Sequence, residues 1–298
     1  MRNFDFCQNW KKIFIIPVAL IVLGVVLFFA MGLNVGVDFS GGSMIYAEIG
    51  SDKFDVDDIR DIVNDYTNNA IVSYSGDNNV GVDIRLGDSA DVNEIQDKII
   101  ADIIEKYGIT EENVEVEYVG PTIGRSLIVN ASIALAIAFV LMLVYIWFRF
   151  ELFSGLSALI ALVHDVLITF VFVILFNVQL NTPFIAAILT IIGYSINNTI
   201  IIFDRIRSNA TLMDAKTERT ELVNVSVRET FSRSVNTTIT TLIALVVLYI
   251  IGVESIRTFV LPIIVGVCAG FFSSVFMTGP LWCLITKNKE VKLKKVKI

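Results

Sequence analysis

The stretch LIVNASIALAIAFVLMLVYIWF, from Leu127 to Phe148, contains no charged residue. The hydrocarbon core of a bilayer is about 30 Å thick, so an α-helix of roughly 20 apolar residues spans it. The stretch therefore predicts a transmembrane helix. It also separates two regions of different character, because a polar, acidic region precedes it and a mostly apolar region follows it.

Five further stretches have comparable length and apolar character, so the sequence predicts six transmembrane helices. The predicted spans are residues 13–33, 127–148, 152–176, 184–203, 235–251 and 258–285. With 55% of its 298 residues hydrophobic, the chain is too apolar for an ordinary soluble fold. The fold class expected is a polytopic α-helical membrane protein, in which residues 127–285 form a region of five helices.

Lysine and arginine in the short flanking segments predict the orientation, because these residues stay on the cytoplasmic side during insertion. They gather in residues 1–12, at Arg149, in residues 204–234 and in the basic tail 286–298. All four fall on one side if the amino terminus is cytoplasmic. We therefore predict cytoplasmic termini and a cytoplasmic connection at 204–234. Within it, a helical pattern of apolar residues indicates a segment along the membrane surface; these are Leu222, Val223, Val227 and Phe231.

A cleavable signal peptide is the alternative interpretation of the first apolar run. Arg2 and the lysines before Ile13 would form its charged region, and Ala30 and Gly32 would supply the small residues near a cleavage site. The apolar run is longer than the usual signal core, which favours a retained helix.

Residues 34–125 carry 20 of the 30 acidic residues but only six of the 23 basic residues. Such an excess of negative charge repels phosphate groups, so nucleic-acid binding is not expected. The three cysteines lie outside this region, at Cys7, Cys268 and Cys283, and the chain has one histidine. No metal site or cofactor is predicted from residues so spaced.

The hydrophobic period of this acidic region alternates between that of strands and that of helices. The order predicted is β-α-β-β-α-β, a ferredoxin-like α+β domain outside the cytoplasm. Its strands are expected at residues 42–49, 70–75, 80–86 and 114–119, with a turn at 76–79, and its helices at 56–67 and 92–107. Such a sheet can receive an extended peptide or serve as a spacer, and the sequence favours neither.

His164 and Asp165 lie near the middle of the third predicted span. Ionisable residues are costly in a membrane, so they normally face a partner, a cavity or an ion path. The pair can move a proton, bind a cation or join two helices by hydrogen bonds. The residues alone leave these alternatives open.

The fourth span carries a neutral polar cluster, followed by Asp204 at its cytoplasmic end. The cluster is Ser195, Asn197, Asn198 and Thr199. Amide oxygens can coordinate an ion or join helices, but they do not titrate. Arg233, just before the fifth span, is either an interfacial anchor or part of a site. Gly266 and Gly270 in the last span predict a close helix contact.

Two stretches carry a resemblance to a known family. The first is Gly36-Val37-Asp38-Phe39-Ser40-Gly41-Gly42, and the second runs from Gly193-Tyr194-Ser195-Ile196-Asn197-Asn198-Thr199 to Phe203-Asp204-Arg205-Ile206-Arg207. Together they resemble the SecD/SecF family of protein translocase subunits, and within it the SecF branch. The order and spacing of His164-Asp165 and Arg233 agree, so the similarity covers nearly the whole chain.

The resemblance implies an auxiliary subunit of the bacterial Sec machinery in the plasma membrane, distantly similar to resistance-nodulation-division exporters. Its expected partners are a SecD-like subunit, the SecYEG translocon, the exported unfolded polypeptide and membrane lipid. The pair would use the proton or sodium gradient to assist export, as an energy converter and not an enzyme. The residues expected in the ion path are Arg233, Asn197, Asn198, His164, Asp165 and Asp204.

The chain departs from the family pattern at Asn198, where SecF relatives commonly carry aspartate. Three accounts of the missing carboxylate are open: the partner supplies the acid, Asp165 takes its role, or sodium binds partly to neutral oxygens. The first is favoured. A passive scaffold of the translocon is the competing function, and half of a small-molecule exporter is disfavoured because the single outer domain is small.

Overall fold

The computed structural model describes residues 5–50, 54–68, 70–76, 80–87, 89, 91–213, 217–252 and 254–287. The chain forms two compact units. The membrane unit comprises Met1–Asn34, Ile133–Val178 and Pro183–Ile298, and the sheet unit comprises Val35–Ser132 and Gln179–Thr182. The predicted turn at 77–79, Arg2 and the basic tail beyond residue 287 lie outside the described residues.

The described elements alternate between long apolar helices and a short α+β segment. In chain order they are α1 (Trp10–Met31), α2 (Val37–Ser40), β1 (Gly42–Glu48), α3 (Val56–Asn64), β2 (Ala70–Ser75), β3 (Gly81–Leu86), α4 (Val92–Tyr107), β4 (Val114–Val119), α5 (Pro121–Arg149), α6 (Leu152–Leu175), α7 (Thr182–Leu212), α8 (Arg219–Ile251), α9 (Glu254–Phe272), a π-helical turn (Ser273–Thr278) and α10 (Gly279–Thr286).

Six helices are long and apolar enough to cross a membrane, which confirms the predicted number of spans. They are α1, α5, α6, α7, α8 and the final helical stretch Ile256–Thr286. Helix α6 is central in the membrane unit, because α1, α9 and α10 all pack against it. The side chains of α5 are mostly exposed. Lipid or another protein therefore has to cover that helix.

The connection predicted at residues 204–234 is mostly helical. Helix α7 continues to Leu212 and α8 begins at Arg219, so both helices extend well beyond their apolar segments. The surface segment expected around Leu222 is the first part of α8. Leu222, Val223 and Val227 are buried, and a Cβ atom added to Gly279 of α10 would lie 2.6 Å from Cγ1 of Val223. Packing against α10, not a membrane surface, accounts for that apolar face.

The last span is interrupted by the π-helical turn between α9 and α10. A π turn adds a residue to the helical repeat and redirects the side chains that follow it. Here the side chains of Ser273 and Ser274 are completely buried, and Thr278 Oγ1 donates to the carbonyl oxygen of Ser273 at 3.1 Å. The turn therefore faces two adjacent hydroxyl groups toward the interior of the membrane unit.

Helices α7 and α9 approach closely at the two glycines predicted to form a helix contact. A Cβ atom added to Gly266 would lie 2.3 Å from Cδ1 of Ile191, and one added to Gly270 would lie 3.0 Å from Cβ of Ser195. Each pair is spaced by four residues on its own helix, so the contacts follow one face of each. The prediction of a close contact at Gly266 and Gly270 is confirmed.

The sheet unit contains a four-stranded antiparallel sheet in the order β2-β3-β1-β4. With α3 and α4, the elements follow one another as β-α-β-β-α-β, as predicted. In the register, Ile45 of β1 pairs with Ile84 of β3 and Val116 of β4. The apolar residues that alternate along the strands pack on both helices and form one core; Ile45, Ala47, Ile59, Val63, Val82, Ile84, Ile99 and Ile103 are its most buried members.

Candidate functional site

Asp165 lies near the middle of α6, and its side chain is completely buried. Its Oδ2 atom accepts hydrogen bonds from Ser195 Oγ of α7 at 2.5 Å and from Ser273 Oγ of the π-helical turn at 2.9 Å. A buried carboxyl group is costly unless it is hydrogen-bonded, and here two other helical elements supply the donors. Asp165 therefore joins three elements of the membrane unit at one point.

His164 is also buried, and its Nδ1 atom lies 2.8 Å from Asp165 Oδ1. The imidazole ring lies at a tilt to the ring of Phe272, with 6.3 Å between the ring centroids. When Asp165 is ionised, Nδ1 carries the proton of this bond, because a carboxylate only accepts. The structure thus brings together the predicted pair, while the bonds between helices are made by Asp165.

A second set of hydroxyl groups lies next to the first. Thr199 Oγ1 of α7 and Ser274 Oγ of the π-helical turn are 3.0 Å apart, and Ser274 Oγ also donates to the carbonyl oxygen of Ser195 at 3.3 Å. All three residues are essentially excluded from solvent. Ser195 and Thr199 are predicted members of the polar cluster, whereas Ser273 and Ser274 were not singled out from the sequence.

Asn198 is completely buried in α7, three residues after Ser195. Neither its Oδ1 nor its Nδ2 atom has a hydrogen-bond partner among the described residues. Leaving a buried polar group unpaired costs about 1–3 kcal/mol, so such groups are rare in folded proteins and need an explanation. The amide therefore has a carbonyl oxygen and an NH2 group that the described chain leaves unpaired.

Asn197 and Asp204 lie apart from this buried cluster. Asn197 is exposed on α7. The exposed Asp204 lies 3.7 Å from an Nη atom of Arg149 and 3.4 Å from one of Arg207. Arg207 also donates to the carbonyl oxygen of Arg149 at 3.0 Å. Asp204 thus belongs to an arginine cluster at the junction of α5 and α6.

Arg233 is exposed on α8, whereas Asn198 and Asp165 are completely buried. No ion pair joins its guanidinium group to another described residue. One turn further along α8, Thr238 Oγ1 accepts a hydrogen bond from Tyr194 of α7 at 2.8 Å. The guanidinium group is therefore available at the surface of the membrane unit.

A second carboxyl group that is partly buried, and that was not predicted from the sequence, precedes α6. Glu151 Oε1 accepts hydrogen bonds from Trp282 Nε1 at 2.5 Å and from Ser154 Oγ at 3.2 Å. Burial raises the pKa of Glu151, although both donors and the charge of Arg219 act in the opposite direction. An acidic residue in a short turn is predicted to be exposed to solvent, so the sequence does not indicate that Glu151 is partly buried. No three His, Cys, Asp or Glu residues in the described part of the chain lie close enough together to hold a metal ion.

The motif at residues 36–42 has a clear structural role in the sheet unit. Asp38 Oδ2 accepts a hydrogen bond from the backbone nitrogen of Thr182, the first residue of α7, at 2.5 Å. The first backbone N–H groups of a helix lack partners within the helix, and a carboxylate there is also favoured by the helix dipole. Asp38 therefore caps α7 from a segment that is distant in the sequence.

The glycines of the motif permit this close approach. The backbone nitrogen of Gly36 donates to the carbonyl oxygen of Leu180 at 2.8 Å, and a Cβ atom there would lie 2.9 Å from that oxygen. Gly41 and Gly42 have φ angles of 74° and 118°, which disfavour side chains. The carbonyl oxygen of Phe39 would lie 2.8 Å from a Cβ atom at Gly124 of α5. The motif residues Asp38, Phe39, Gly41 and Gly42 thus shape a short turn against residues 179–182.

The sequence is similar to that of known proteins of one family. The family model described as "Protein export membrane protein SecD/SecF, C-terminal" matches residues 99–288. Protein translocase subunit SecF of Rickettsia felis is 35% identical over 96% of this chain and 93% of the relative. SecF of Sebaldella termitidis is 36% identical over 93% of this chain and 90% of the relative.

Solved structures show the same fold. The crystal structure of SecDF, a translocon-associated membrane protein from Thermus thermophilus, matches with a TM-score of 0.83 and 29% identity. The match covers 96% of this chain but 39% of that chain, so the SecDF chain is much longer. A super-membrane-facing form of SecDF matches with a TM-score of 0.68 over 95% of this chain.

The six apolar helices and the bacterial SecF relatives make this a multi-pass protein of the inner membrane. Its similarity to those relatives extends over nearly their full length. The chain belongs to the SecF family of protein translocase subunits.

Proposed function

We propose that the chain works with a SecD-like subunit and the SecYEG translocon, and uses the proton or sodium gradient to assist the export of unfolded polypeptides. Membership of the SecF family supports the link to protein export. The similarity of this chain to part of the SecDF chain supports a SecD-like partner.

The observation that best supports ion coupling is the burial of Asp165 among three helical elements. When ionised, Asp165 accepts hydroxyl protons from both Ser195 and Ser273 at a single oxygen. When protonated at that oxygen, it has to donate, so at least one of these hydroxyl groups must turn and act as an acceptor. A change of charge at Asp165 therefore changes the bonds between α6, α7 and the π-helical turn, as a switch requires.

The surface near Asn198 would complete the ion path against the SecD-like partner. The amide of Asn198 is buried and unpaired, and the exposed side chains of Asn197 and Arg233 are accessible to a partner. We propose that the partner supplies a carboxylate to replace the one that is missing at Asn198. A carboxylate inside a membrane is stabilised by a nearby positive charge. With sodium as the coupling ion, neutral oxygens of the same cluster would act as ligands. Asp204 would mark the cytoplasmic end of the path.

We further propose that the sheet unit forms a ferredoxin-like domain on the extracytoplasmic side, with residues 1–12 and 286–298 in the cytoplasm. The distribution of lysine and arginine supports this orientation. In that position the acidic domain would meet polypeptide as it emerges, while the exposed face of α5 would contact lipid or the partner.

A passive scaffold of the translocon is the second candidate, supported by the neutral Asn198 in place of an acid. Reconstitution of the complex with its partner in proteoliposomes separates the two functions. An energy converter should contribute to export only while an ion gradient is present, whereas a scaffold should contribute equally after ionophores dissipate it. Equal contributions would contradict the proposed coupling.

Two substitutions test the proposed residues in that assay. Arg233→Ala should lower gradient-dependent export, and an unchanged rate would remove Arg233 from the ion path. Asn198→Asp places a titratable group in the cluster and should alter the pH dependence of export. Identical pH profiles would mean that position 198 takes no part in coupling. Ser157→Ala is the matched control, because Ser157 is buried in α6 but donates only to its own helix, at the carbonyl oxygen of Phe153.

A further inference from the structure

The segment before α1 is anchored to the beginning of α8 by hydrogen bonds. The backbone nitrogens of Phe6 and Cys7 lie 2.9 and 3.4 Å from Asn224 Oδ1, and Asn224 Nδ2 donates to Asp5 Oδ1 at 2.9 Å. Asn224 is 1% exposed. A single buried amide thus uses both of its polar groups to hold the amino-terminal segment in a defined position.

Aromatic packing reinforces this anchor. The side chain of Phe6 is completely buried, and its ring centroid lies 5.7 Å from that of Phe276 in the π-helical turn. Phe276 also stacks on Phe272 at 5.3 Å. The position of Cys7, the next residue, is consequently determined by buried contacts and not by a free terminus.

Cys7 and Cys283 of α10 meet at the end of this contact. Their Sγ atoms are 3.4 Å apart, and Cys7 is 8% exposed whereas Cys283 is partly exposed. A disulfide bond is about 2.05 Å long. The two sulfur atoms therefore need to approach by little more than 1 Å, which small rotations of the side chains can provide.

We propose that Cys7 and Cys283 form a redox modification site, at which a peroxide converts the two thiols into a reversible disulfide that fastens the amino-terminal segment to α10. This inference rests on the contact between the thiols and is independent of the proposed role in export. No third His, Cys, Asp or Glu ligand accompanies them in the described part of the chain, which favours a disulfide over a metal site.

The reaction begins at Cys283, the more accessible thiol. Its sulfur attacks hydrogen peroxide, which gives a sulfenic acid and one water molecule. The thiol of Cys7 then attacks this sulfur, the S–S bond forms, and the hydroxyl group leaves with the thiol proton as a second water molecule. Two thiols are oxidised while one peroxide is reduced, and an added dithiol reverses the reaction by exchange. The contact with Cys283 and burial both raise the pKa of Cys7, so Cys7 stays protonated until its partner is oxidised.

The bond would join residues 276 positions apart and close most of the chain into a loop. It would tie the entry of α1 to α10, which packs on both α6 and α8. Because a cross-link restricts the unfolded chain most when the loop is long, the oxidised protein should unfold at a temperature several degrees higher, roughly 5 °C.

The test uses the full chain in detergent with the substitution Cys268→Ser, which leaves only the proposed pair. Cys268 is exposed on α9 and serves as the matched control site. After treatment with hydrogen peroxide, non-reducing peptide mapping should find Cys7 linked to Cys283 in most molecules, with the loss of two hydrogen masses and full reversal by dithiothreitol. The accompanying shift in unfolding temperature should disappear after reduction.

Other products would overturn the proposal. These are a sulfinic acid at Cys283 with Cys7 unmodified, dimers linked through Cys283, or two thiols that remain free under conditions that oxidise exposed cysteines. In the wild-type chain, disulfides that pair Cys268 with either residue as often as Cys7 pairs with Cys283 would likewise contradict it, because the geometry selects one pair. The variants Cys7→Ser and Cys283→Ser should each abolish the linked peptide and the shift.

Discussion

Asp165 and Asp38 are both carboxylates that hold together segments far apart in the sequence, yet their surroundings differ. Asp38 is partly exposed and accepts a backbone N–H group at the first residue of α7. Asp165 is completely buried and accepts two side-chain hydroxyl groups. A backbone donor is satisfied by any suitably placed oxygen, whereas a charge without water depends on its neighbours. We therefore propose a structural role for Asp38 and a change of protonation for Asp165.

The largest effect is expected from Asp165→Asn, which keeps the shape of the side chain and removes its charge. Gradient-dependent export by the reconstituted complex should fall by about tenfold or more, because coupling free energies of 1–3 kcal/mol correspond to factors of about 5–150. The protein should still assemble, since an amide oxygen can accept the same hydroxyl protons. Export in proteoliposomes, with Ser157→Ala as control, measures the effect. If export by the Asp165→Asn variant kept its normal dependence on the gradient, Asp165 would have no role in coupling and would not differ from Asp38 in that respect.

A steric change tests whether Asp165 depends on the close contact between α7 and α9. Gly270→Ala would place a methyl group 3.0 Å from Cβ of Ser195, the donor to Asp165. Overpacking of this kind typically costs about 1–3 kcal/mol, so the free energy of unfolding should fall by that amount. Gly193→Ala is the control, as its added Cβ would meet no atom within 4 Å. Unfolding in mixed micelles of increasing denaturing detergent measures both, and equal stabilities would contradict the contact.

The α7 cap provides the matching test on Asp38. Asp38→Ala should lower the free energy of unfolding by about 1 kcal/mol, the usual cost of losing a helix cap, whereas Asp38→Asn should cost much less because asparagine also caps helices. Asparagine should therefore preserve the function of the side chain at position 38, where it keeps the helix cap, but not at position 165, where it removes the charge. Thermal unfolding of the three proteins tests this, and an equal loss in both Asp38 variants would mean that the charge, not the cap, matters there.

The smallest effect is expected at Glu117 of β4. Desolvation raises the pKa of this residue, and the negative charge of Asp38 adds to the shift. An acid with a raised pKa in the folded state binds its proton more tightly there than in the unfolded chain. Stability therefore falls as the pH rises from the ordinary value of 4.5 through the raised pKa. Glu117→Gln should remove that fall, so the variant should unfold at a slightly higher temperature than the parent at neutral pH.

The unfolding profile of Glu117→Gln should converge with that of the parent at pH values below the ordinary pKa, where both side chains are neutral. Glu115→Gln, the same change two residues earlier on the strand, is its control. A difference between Glu117→Gln and the parent that persists unchanged in acid would contradict the electrostatic explanation.

The sequence predicts well those features of the fold that depend on a pattern extending over many residues. The six spans are predicted by uninterrupted apolar runs such as residues 127–148. The order of strands and helices along the sheet unit is predicted by a hydrophobic period that switches between two and 3.6 residues. The close contact of Gly266 and Gly270 with a neighbouring helix could also be predicted from the sequence. These features depend on composition over many residues, which the chain displays directly.

Features that depend on a single turn or on partners distant in sequence were not accessible. Nothing in Ser273-Ser274 signals a π-helical turn, so Ser273 was missed as a donor to Asp165. Glu151 lies in a short turn, and Asp38 caps the start of α7 from a distant segment. Both have roles that depend on tertiary structure. The apolar face around Leu222 was expected at a membrane surface, but such a face suits a neighbouring helix equally well, and here it packs against α10.

The most direct test of the account is whether Asp165 changes its state. Infrared difference spectroscopy of the complex in lipid detects the C=O band of a protonated carboxyl group, and Asp165→Asn identifies its source. The account predicts a band that appears or disappears between mildly acidic and alkaline pH, or on addition of sodium, and that is absent from the Asp165→Asn difference spectrum. Identical difference spectra for wild type and variant under all these conditions would contradict it.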